Sequence, residues 1–328
     1  MSVRIGDIAR VGLEVINEAG SLSGGAPQLL GRFSAGPVET FARAASLAEG
    51  YAARAGIDLL KINGLRTGRP ISGPLVERAG APPDKQYDGF YVGADRKAYP
   101  PSTPLDDVLP VLPRSGRATG ERIIFVNGVG NAKDTQAAAL QEIADRTGAP
   151  VIGVHNATEG FFADIGQSLQ DKLDKGTNPA VDTLANTIYN EIRAGRTVHI
   201  MAHSQGGIIA SRALTDAYQR LRLEDGLSRS QAERLLGQVR VETFGAAAGS
   251  YPDGPQYVHY INRADIVPTW FGLGIDVDRF NPTLHPGRGA VVYRFTDFDL
   301  FDPFGGHSFV DTYLPRRVPF EQARRGDF

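Results

Sequence analysis

Short apolar segments alternate with segments of helical spacing between residues 121 and 295, and this alternation constrains the fold of the 328-residue chain more than any other feature. The apolar segments have the length of buried strands, whereas the segments between them repeat apolar residues every three or four positions. A strand–helix–strand rhythm predicts a mostly parallel sheet with helices on both faces. We therefore predict an α/β protein whose functional groups lie at the carboxyl ends of the strands.

The predicted strands of this region are ERIIFVNG, APVIGVHN, TVHIMA, VRVETFG, QYVHYIN and AVVYRFTDF. The predicted helices are Asp134 to Arg146, a helix begun by Asp182 and ended by Gly195, a helix from Gly206 onward, and a helix with Ser230 and Glu233 spaced as a capping box.

The part of the chain before this region has a different character. Residues 1–84 combine helical spacing with many glycines, and we predict a helical extension there, followed by one large domain over residues 85–328. The segment YDGFYVGADRKAYPP predicts a hairpin that turns at Gly93-Ala94-Asp95. Residues 99–116 are Pro-rich and predict an extended connector.

Composition excludes several classes of partner and site. Apolar residues make up 41% of the chain and charged residues 22%, which predicts a packed core. A net charge of −2 is too small to attract nucleic acid, and the lack of cysteine excludes disulfides and thiolate metal sites. The N-terminus has no continuous apolar segment of a signal peptide, and no apolar run is long enough to span a membrane. We expect a protein that is cytoplasmic or exported without a cleaved Sec signal.

The segment AHSQG, from Ala202 to Gly206, follows the predicted strand TVHIMA and has the form of a sharp turn between strand and helix. Such a turn exposes the serine hydroxyl at the sheet edge and requires small residues two positions before and after Ser204. A serine among small residues can instead be a helix cap or a close-packing site. The segment resembles the G-x-S-x-G motif of the α/β-hydrolase superfamily, in its lipase and esterase branches, with Ala202 in place of the first glycine.

A nucleophilic serine needs a base, and the base needs an acid that orients it. In α/β hydrolases the three follow in the order Ser, Asp, His. Asp265 follows an apolar strand in VHYINRADIVP, in a turn that we expect Pro268 to close; this stretch resembles the N-x-x-D-x-V-P sequence of class 3 lipases. Asp265 can otherwise serve only as a turn cap. For the base we predict His307, in the glycine-rich loop FGGHSF, with His285 as the alternative.

Acyl transfer also needs N–H donors for the negative oxygen of the intermediate. We predict the backbone N–H of Gln205 as one donor and that of Gly128 or Val129, in the loop FVNGVGN, as the other. The same loop could be a phosphate-binding glycine loop, but it has neither the G-x-G-x-x-G nor the G-x-x-x-x-G-K spacing.

Two apolar segments are candidates for substrate binding. Residues 156–181 form a long insertion, a candidate lid, which contains Phe161 and Phe162; residues 268–275 contain Trp270 and Phe271. These aromatic residues could equally be ordinary core.

Three further features each allow a structural and a functional interpretation. We expect His203 to pack or to orient a neighbour, and His155 either to line the site or to be a hydrogen-bonded residue at a strand end. The segment FTDFDLFDPF suggests calcium, but without the ligand order of an EF-hand it is read as a solvated face over buried aromatics. No metal or cofactor is predicted.

The resemblance implies a serine carboxylic-ester hydrolase, a lipase, esterase or phospholipase, of α/β-hydrolase fold. Its partner is then an ester or lipid substrate. The segments DGFYVGADRKAYPPSTPL and IIFVNGVG also resemble lipase-like effectors of type VI secretion systems. That resemblance implies a phospholipid membrane surface as substrate and an immunity or delivery protein as partner. The alternative is a non-catalytic interaction protein on a hydrolase scaffold.

Overall fold

A computed structural model of the chain describes residues 84–128, 133–157, 178–274, 284–297 and 305–328. Residues 1–83 of the predicted helical extension and residues 158–177 of the predicted lid insertion lie outside these ranges.

Within the described residues, eight strands form one mixed, mostly parallel sheet, and the predicted strands of the alternating region are all among them. The strands are β1 Tyr91–Val92, β2 Ala98–Tyr99, β3 Ile123–Val126, β4 Val151–Val154, β5 Val198–His203, β6 Val239–Phe244, β7 Gln256–Asn262 and β8 Val291–Phe295. The predicted hairpin is confirmed, since β1 and β2 pair antiparallel across the segment Gly93–Lys97.

The order of the strands reverses between β3 and β5. Across the sheet the strands run β2-β1-β4-β3-β5-β6-β7-β8, and the six from β4 to β8 in this order are parallel. The chain passes from β3 outward to β4 and then returns to the other side of β3 to form β5. Ligands of open α/β sheets bind at such a reversal of strand order, beyond the carboxyl ends of the strands.

The helices cover the two faces of the sheet unequally. They are α1 Lys133–Thr147, α2 Pro179–Arg193, α3 Gly206–Leu223, α4 Arg229–Leu236, α5 Ile266–Phe271 and α6 Phe320–Arg324. Apolar residues of α2, α3 and α4 pack on one face, against side chains such as Ile200 and Val241. On the other face α1 and the C-terminal segment, residues 305–328, pack against Phe125, Met201 and Phe244.

Two predicted helix starts are wrong, each because another residue makes the better cap. Helix α2 begins before Asp182, since the side chain of Asn178 accepts hydrogen bonds from the N–H groups of residues 180 and 181 and Pro179 takes the first helical position. The capping box of α4 is Ser228 with Gln231, since Ser228 has the extended backbone that a cap needs. Glu233 instead pairs with Arg229 one turn earlier in the helix.

A buried ionic cluster fastens the C-terminal segment to the sheet. Arg317 donates from Nε and Nη2 to Glu242 Oε1, at 3.0 and 2.8 Å, and His199 Nε2 donates to the same oxygen at 2.8 Å. Burial would raise the pKa of Glu242, but Arg317 and His199 outweigh it and hold that pKa below its ordinary value. The fully buried carboxylate therefore stays charged and paired with both cations.

His199 is held as a cation in this cluster. Burial lowers the pKa of its ring, but hydrogen bonds to Glu121 and Glu242 outweigh burial and raise the pKa above its ordinary value. Both ring nitrogens donate, since each faces a carboxylate oxygen.

No helix within the described residues is long and apolar enough to cross a lipid bilayer.

We expect Arg317→Met to lower the free energy of unfolding by about 3 kcal/mol or more, because it leaves the buried carboxylate of Glu242 with a single cation. The neighbouring Arg316 offers a matched control, since both side chains of its ion pair with Asp297 are more than a third exposed. Arg316→Met should cost less than about 1 kcal/mol. Urea unfolding followed by circular dichroism measures both, and equal losses would contradict a special role for the cluster.

Candidate active site

Ser204 lies at the carboxyl end of β5, in a tight turn that leads directly into α3. Its backbone has a φ of 58°, a left-handed conformation that is unfavourable for a residue with a side chain. Three backbone hydrogen bonds hold this turn: Ser204 N–H donates to Phe244 O at 3.1 Å, and Ser204 O accepts from the N–H groups of Gly207 and Ala247 at 3.1 and 3.0 Å. The strained turn is therefore bound both to the end of β6 and to the loop that follows it.

Close packing explains why small residues surround Ser204. A Cβ atom on Gly206 would lie 2.3 Å from the carbonyl oxygen of Val126, in the neighbouring strand β3. One on Gly207 would lie 2.4 Å from the Cβ atom of Ala246. Ala202 is fully buried in β5. The sequence requirement for small residues two positions before and after the serine thus has a steric cause in this sheet.

The structure brings together the three side chains that the sequence predicts as nucleophile, base and acid. Ser204 Oγ lies 2.9 Å from His307 Nε2, and His307 Nδ1 lies 2.6 Å from Asp265 Oδ2. A carboxylate only accepts, so Nδ1 of His307 carries a hydrogen and Nε2 is left to accept the serine proton. The three residues are 3%, 4% and 2% exposed, in the order Ser204, His307, Asp265, so water competes little for these hydrogen bonds.

Asp265 is placed by the start of a short helix. It caps α5, and its Oδ1 accepts a hydrogen bond from Val267 N–H at 2.9 Å. Pro268 lies within α5, so the expectation that it closes a turn is wrong. One carboxylate oxygen of Asp265 caps the helix, as the structural interpretation predicts, and the other faces His307, which is the geometry that the role of an acid would require. The helix start thereby fixes the direction of the carboxylate.

His203 supports the loop that carries His307. Its Nε2 donates to the carbonyl oxygen of His307 at 2.9 Å, and the two rings are 4.7 Å apart. Burial and then the nearby His307 hold the pKa of His203 well below its ordinary value. The neutral ring is consistent with the orienting role predicted from sequence.

Three buried amide side chains connect the ends of β3, β4 and β5. Asn127 Oδ1 accepts from Asn156 N–H at 2.9 Å, and Asn127 Nδ2 donates to the carbonyl oxygens of Asn156 and Gly128 at 3.0 and 2.9 Å. Asn156 Nδ2 donates to Gln205 Oε1 at 2.6 Å. These hydrogen bonds hold the loop after β3 against the turn at Ser204.

These hydrogen bonds involve the two segments whose backbone N–H groups are predicted to donate to the negative oxygen of an acyl-transfer intermediate. Gln205 is the cap of α3, and the first N–H groups of a helix have no partner within the helix. Gly128 lies directly against the serine, since a Cβ atom there would be 2.9 Å from Ser204 Cβ. The backbone at Gly128 thus lies beside Ser204, and Gln205 follows the serine directly in the chain, so both stay candidates for the donors of an acyl-transfer site.

The remaining predicted site residues are placed as follows. Val129, Phe161 and Phe162 lie outside the described residues, as does the side chain of Trp270. Phe271 is half-buried at the end of α5.

His285 and His155, the other histidines considered for the site, make contacts elsewhere. His285, the alternative base, pairs with Asp253 at 3.0 Å and is about half exposed. His155 is fully buried and Nδ1 contacts Gln136 at 2.9 Å, so it is a hydrogen-bonded residue at a strand end. Burial is the main cause that lowers the pKa of His155 to about 4; the charge of Asp84 opposes this shift and that of Lys133 adds to it.

The segment read as a candidate calcium loop is described only in part. Phe295 is buried and Asp297 pairs with Arg316, which fits a polar face over buried aromatics for these two residues. Over the described ranges, no group of three or more His, Cys, Asp or Glu side chains could hold a metal ion.

Sequence reasoning missed Asn127, Asn156 and Tyr313, whose hydroxyl donates to Asp265 Oδ2 at 2.6 Å. A signal existed for the asparagines, because each directly follows a predicted apolar strand, where a buried amide must find partners. No comparable signal marks Tyr313, since its partner is 48 residues away in the chain.

We expect Gly206→Ala to destabilise the protein by about 2 kcal/mol or more, because the new methyl group would meet the backbone of β3. Gly120→Ala is the matched control, since a Cβ atom at Gly120 meets nothing within 4 Å. Thermal unfolding measures the difference. A fully stable Gly206→Ala protein would mean that the turn does not pack as described.

Comparison of the chain with models of protein families, with curated proteins and with solved structures finds no match, so the geometry above is the basis for a functional assignment.

Proposed function

We propose that this chain is a serine carboxylic-ester hydrolase of α/β-hydrolase fold. The observation that carries the proposal is the continuous set of hydrogen bonds from Ser204 Oγ through His307 to Asp265, at 2.9 and 2.6 Å. The pairs are 103 and 42 residues apart in the chain, so chance proximity along the sequence does not explain their meeting. The order Ser, Asp, His after β5, β7 and β8 supports the same assignment, because α/β hydrolases follow it.

The first half of the proposed reaction forms an acyl-enzyme. His307 Nε2 takes the proton of Ser204 as Oγ attacks the carbonyl carbon of the ester, and Asp265 stabilises the imidazolium that results. The N–H of Gln205 and an N–H at Gly128 or Val129 hold the negative oxygen of the intermediate. The carbon–oxygen bond to the alcohol then breaks, and the alcohol leaves with the proton from His307.

The second half releases the acid. Water gives a proton to His307 and attacks the acyl carbonyl carbon, and the bond to Ser204 Oγ breaks as the imidazolium returns its proton to the serine. These steps use the three side chains, the backbone N–H groups named above and water.

A lipid-like acyl group is the substrate class that we propose. It is supported by the apolar residues near the acid, of which Phe271 is half-buried at the end of α5 and Leu273 is buried two residues later. A phospholipid membrane surface as substrate, and an immunity or delivery protein as partner, stay predictions from the sequence resemblance.

We expect the protein to react with an organophosphonate at Ser204, because such reagents trap a serine that a nearby base activates. Mass spectrometry of the labelled peptide locates the adduct. Ser204→Ala should abolish labelling and lower kcat for a series of ester substrates by about 10⁴-fold or more. The series includes esters of increasing acyl length and phospholipid vesicles, so the same measurement reports the substrate class.

Ser228→Ala is the matched control, because it removes a serine hydroxyl that only caps α4. It should be labelled as the wild type is. A folded wild-type protein that is inert to the phosphonate and to every ester would exclude the hydrolase and favour the non-catalytic interaction protein.

A further inference from the structure

The hydroxyl of Tyr313 shares a carboxylate oxygen with the imidazole of His307. Tyr313 Oη lies 2.6 Å from Asp265 Oδ2, the same length as the contact from His307 Nδ1 to that oxygen. Together with Val267 N–H on Oδ1, the buried carboxylate accepts three hydrogen bonds. Two of the three donors act on the oxygen that faces the base.

The direction of the Tyr313 hydrogen bond is fixed by its surroundings. Asn262 N–H donates to Tyr313 Oη at 3.2 Å, which occupies a lone pair of the hydroxyl. The carboxylate oxygen can only accept, so the hydroxyl hydrogen points at Asp265. Burial, followed by the charge of Asp265, raises the pKa of Tyr313 well above its ordinary value, so the hydroxyl keeps its hydrogen at any working pH.

The fold keeps space for this contact. Gly245 follows β6 with a φ of 53°, and a Cβ atom there would lie 2.8 Å from the Tyr313 ring and 2.9 Å from Asp265 Oδ2. The ring of Tyr313 is fully buried and packs edge-on against Phe295, with ring centres 5.5 Å apart. The tyrosine is therefore held in place, and only glycine at position 245 leaves room for it beside the carboxylate.

We propose that Tyr313 is a positioning residue of the candidate site, which holds the carboxylate of Asp265 in line with His307 and draws part of its negative charge away from the imidazole. The assignment rests on the proposed function. As a consequence, the base should lose its proton at lower pH than it would if Asp265 accepted no hydrogen bond from Tyr313. Four titratable residues are in contact with one another at this place: His307, Asp265, His203 and Tyr313.

The test compares Tyr313→Phe with the wild type in the pH profile of kcat/KM for an ester that the wild type hydrolyses. Without the hydroxyl, more negative charge on Oδ2 faces the imidazolium, so the proton should be lost at higher pH. We expect the acidic limb of the profile to move up by about half a pH unit or more, a shift that a single hydrogen bond to a charged group can produce. The plateau should fall by about threefold to tenfold because the carboxylate is held less firmly.

Tyr91→Phe is the matched control. Tyr91 is also buried, and its hydroxyl donates over 2.6 Å to Thr187, away from the three side chains. The control should lose stability without moving the acidic limb. A fluorotyrosine incorporated at Tyr313 gives the second variant: it keeps the ring, makes the hydroxyl a stronger donor, and should move the limb to lower pH.

Opposite shifts of the limb in Tyr313→Phe and the fluorotyrosine variant, with none in Tyr91→Phe, would support the assignment. An active wild type whose limb stays in place in the fluorotyrosine variant, and in Tyr313→Phe where that variant folds, would overturn the assignment and leave the hydrolase intact. A wild type inert to esters and to the organophosphonate would overturn both proposals together.

Discussion

Both ring nitrogens of His307 are buried, and each has a hydrogen-bond partner: Asp265 at Nδ1 and Ser204 at Nε2. The rest of the fold brings these two partners to the ring. A buried ring nitrogen without a hydrogen bond costs free energy, so Ser204 and Asp265 must both be in place when the ring is buried. They arrive on different loops, after β5 and after β7, and the ring itself lies on a third segment after β8. Parallel pairing from β5 to β8 is what brings these three loops to one edge.

The segment that carries His307 is held far from the site as well as near it. Near the site, His203 donates to its backbone and Tyr313 to its acidic partner. Farther along the chain, Arg317 pairs with the buried carboxylate of Glu242, a residue of β6. Since a buried ion pair contributes little net stability, its value here is specificity: a C-terminal segment shifted by one residue would leave Glu242 with His199 as its single cation. We infer that the cluster selects one register for the segment and so one position for the histidine.

What could be predicted from sequence follows from how local each signal is. The strands were predictable because runs such as IIFV and VHIMAH are short, apolar and flanked by turn residues. Ser204 and Asp265 were predictable as candidates because they lie within three residues of the end of such a run, and His307 because it lies in a glycine-rich loop after the last run. The order of the three residues limits the combinations. The start of α4 was predicted wrongly because Ser228 and Ser230 offer similar spacing, and only backbone conformation decides between them. The contacts of Tyr313 and Arg317 depend on packing between distant segments, which local sequence does not contain.

The left-handed turn at Ser204 is held by backbone hydrogen bonds and by close packing between neighbouring strands. Its free-energy cost, of order 1–3 kcal/mol for such a conformation, is met by the packing of the sheet when the chain folds. For the proposed reaction, an arriving ester therefore meets a hydroxyl that already points in its reactive direction. Little of the binding free energy of the substrate then goes into rearranging the protein, and more of it is left for stabilising the transition state.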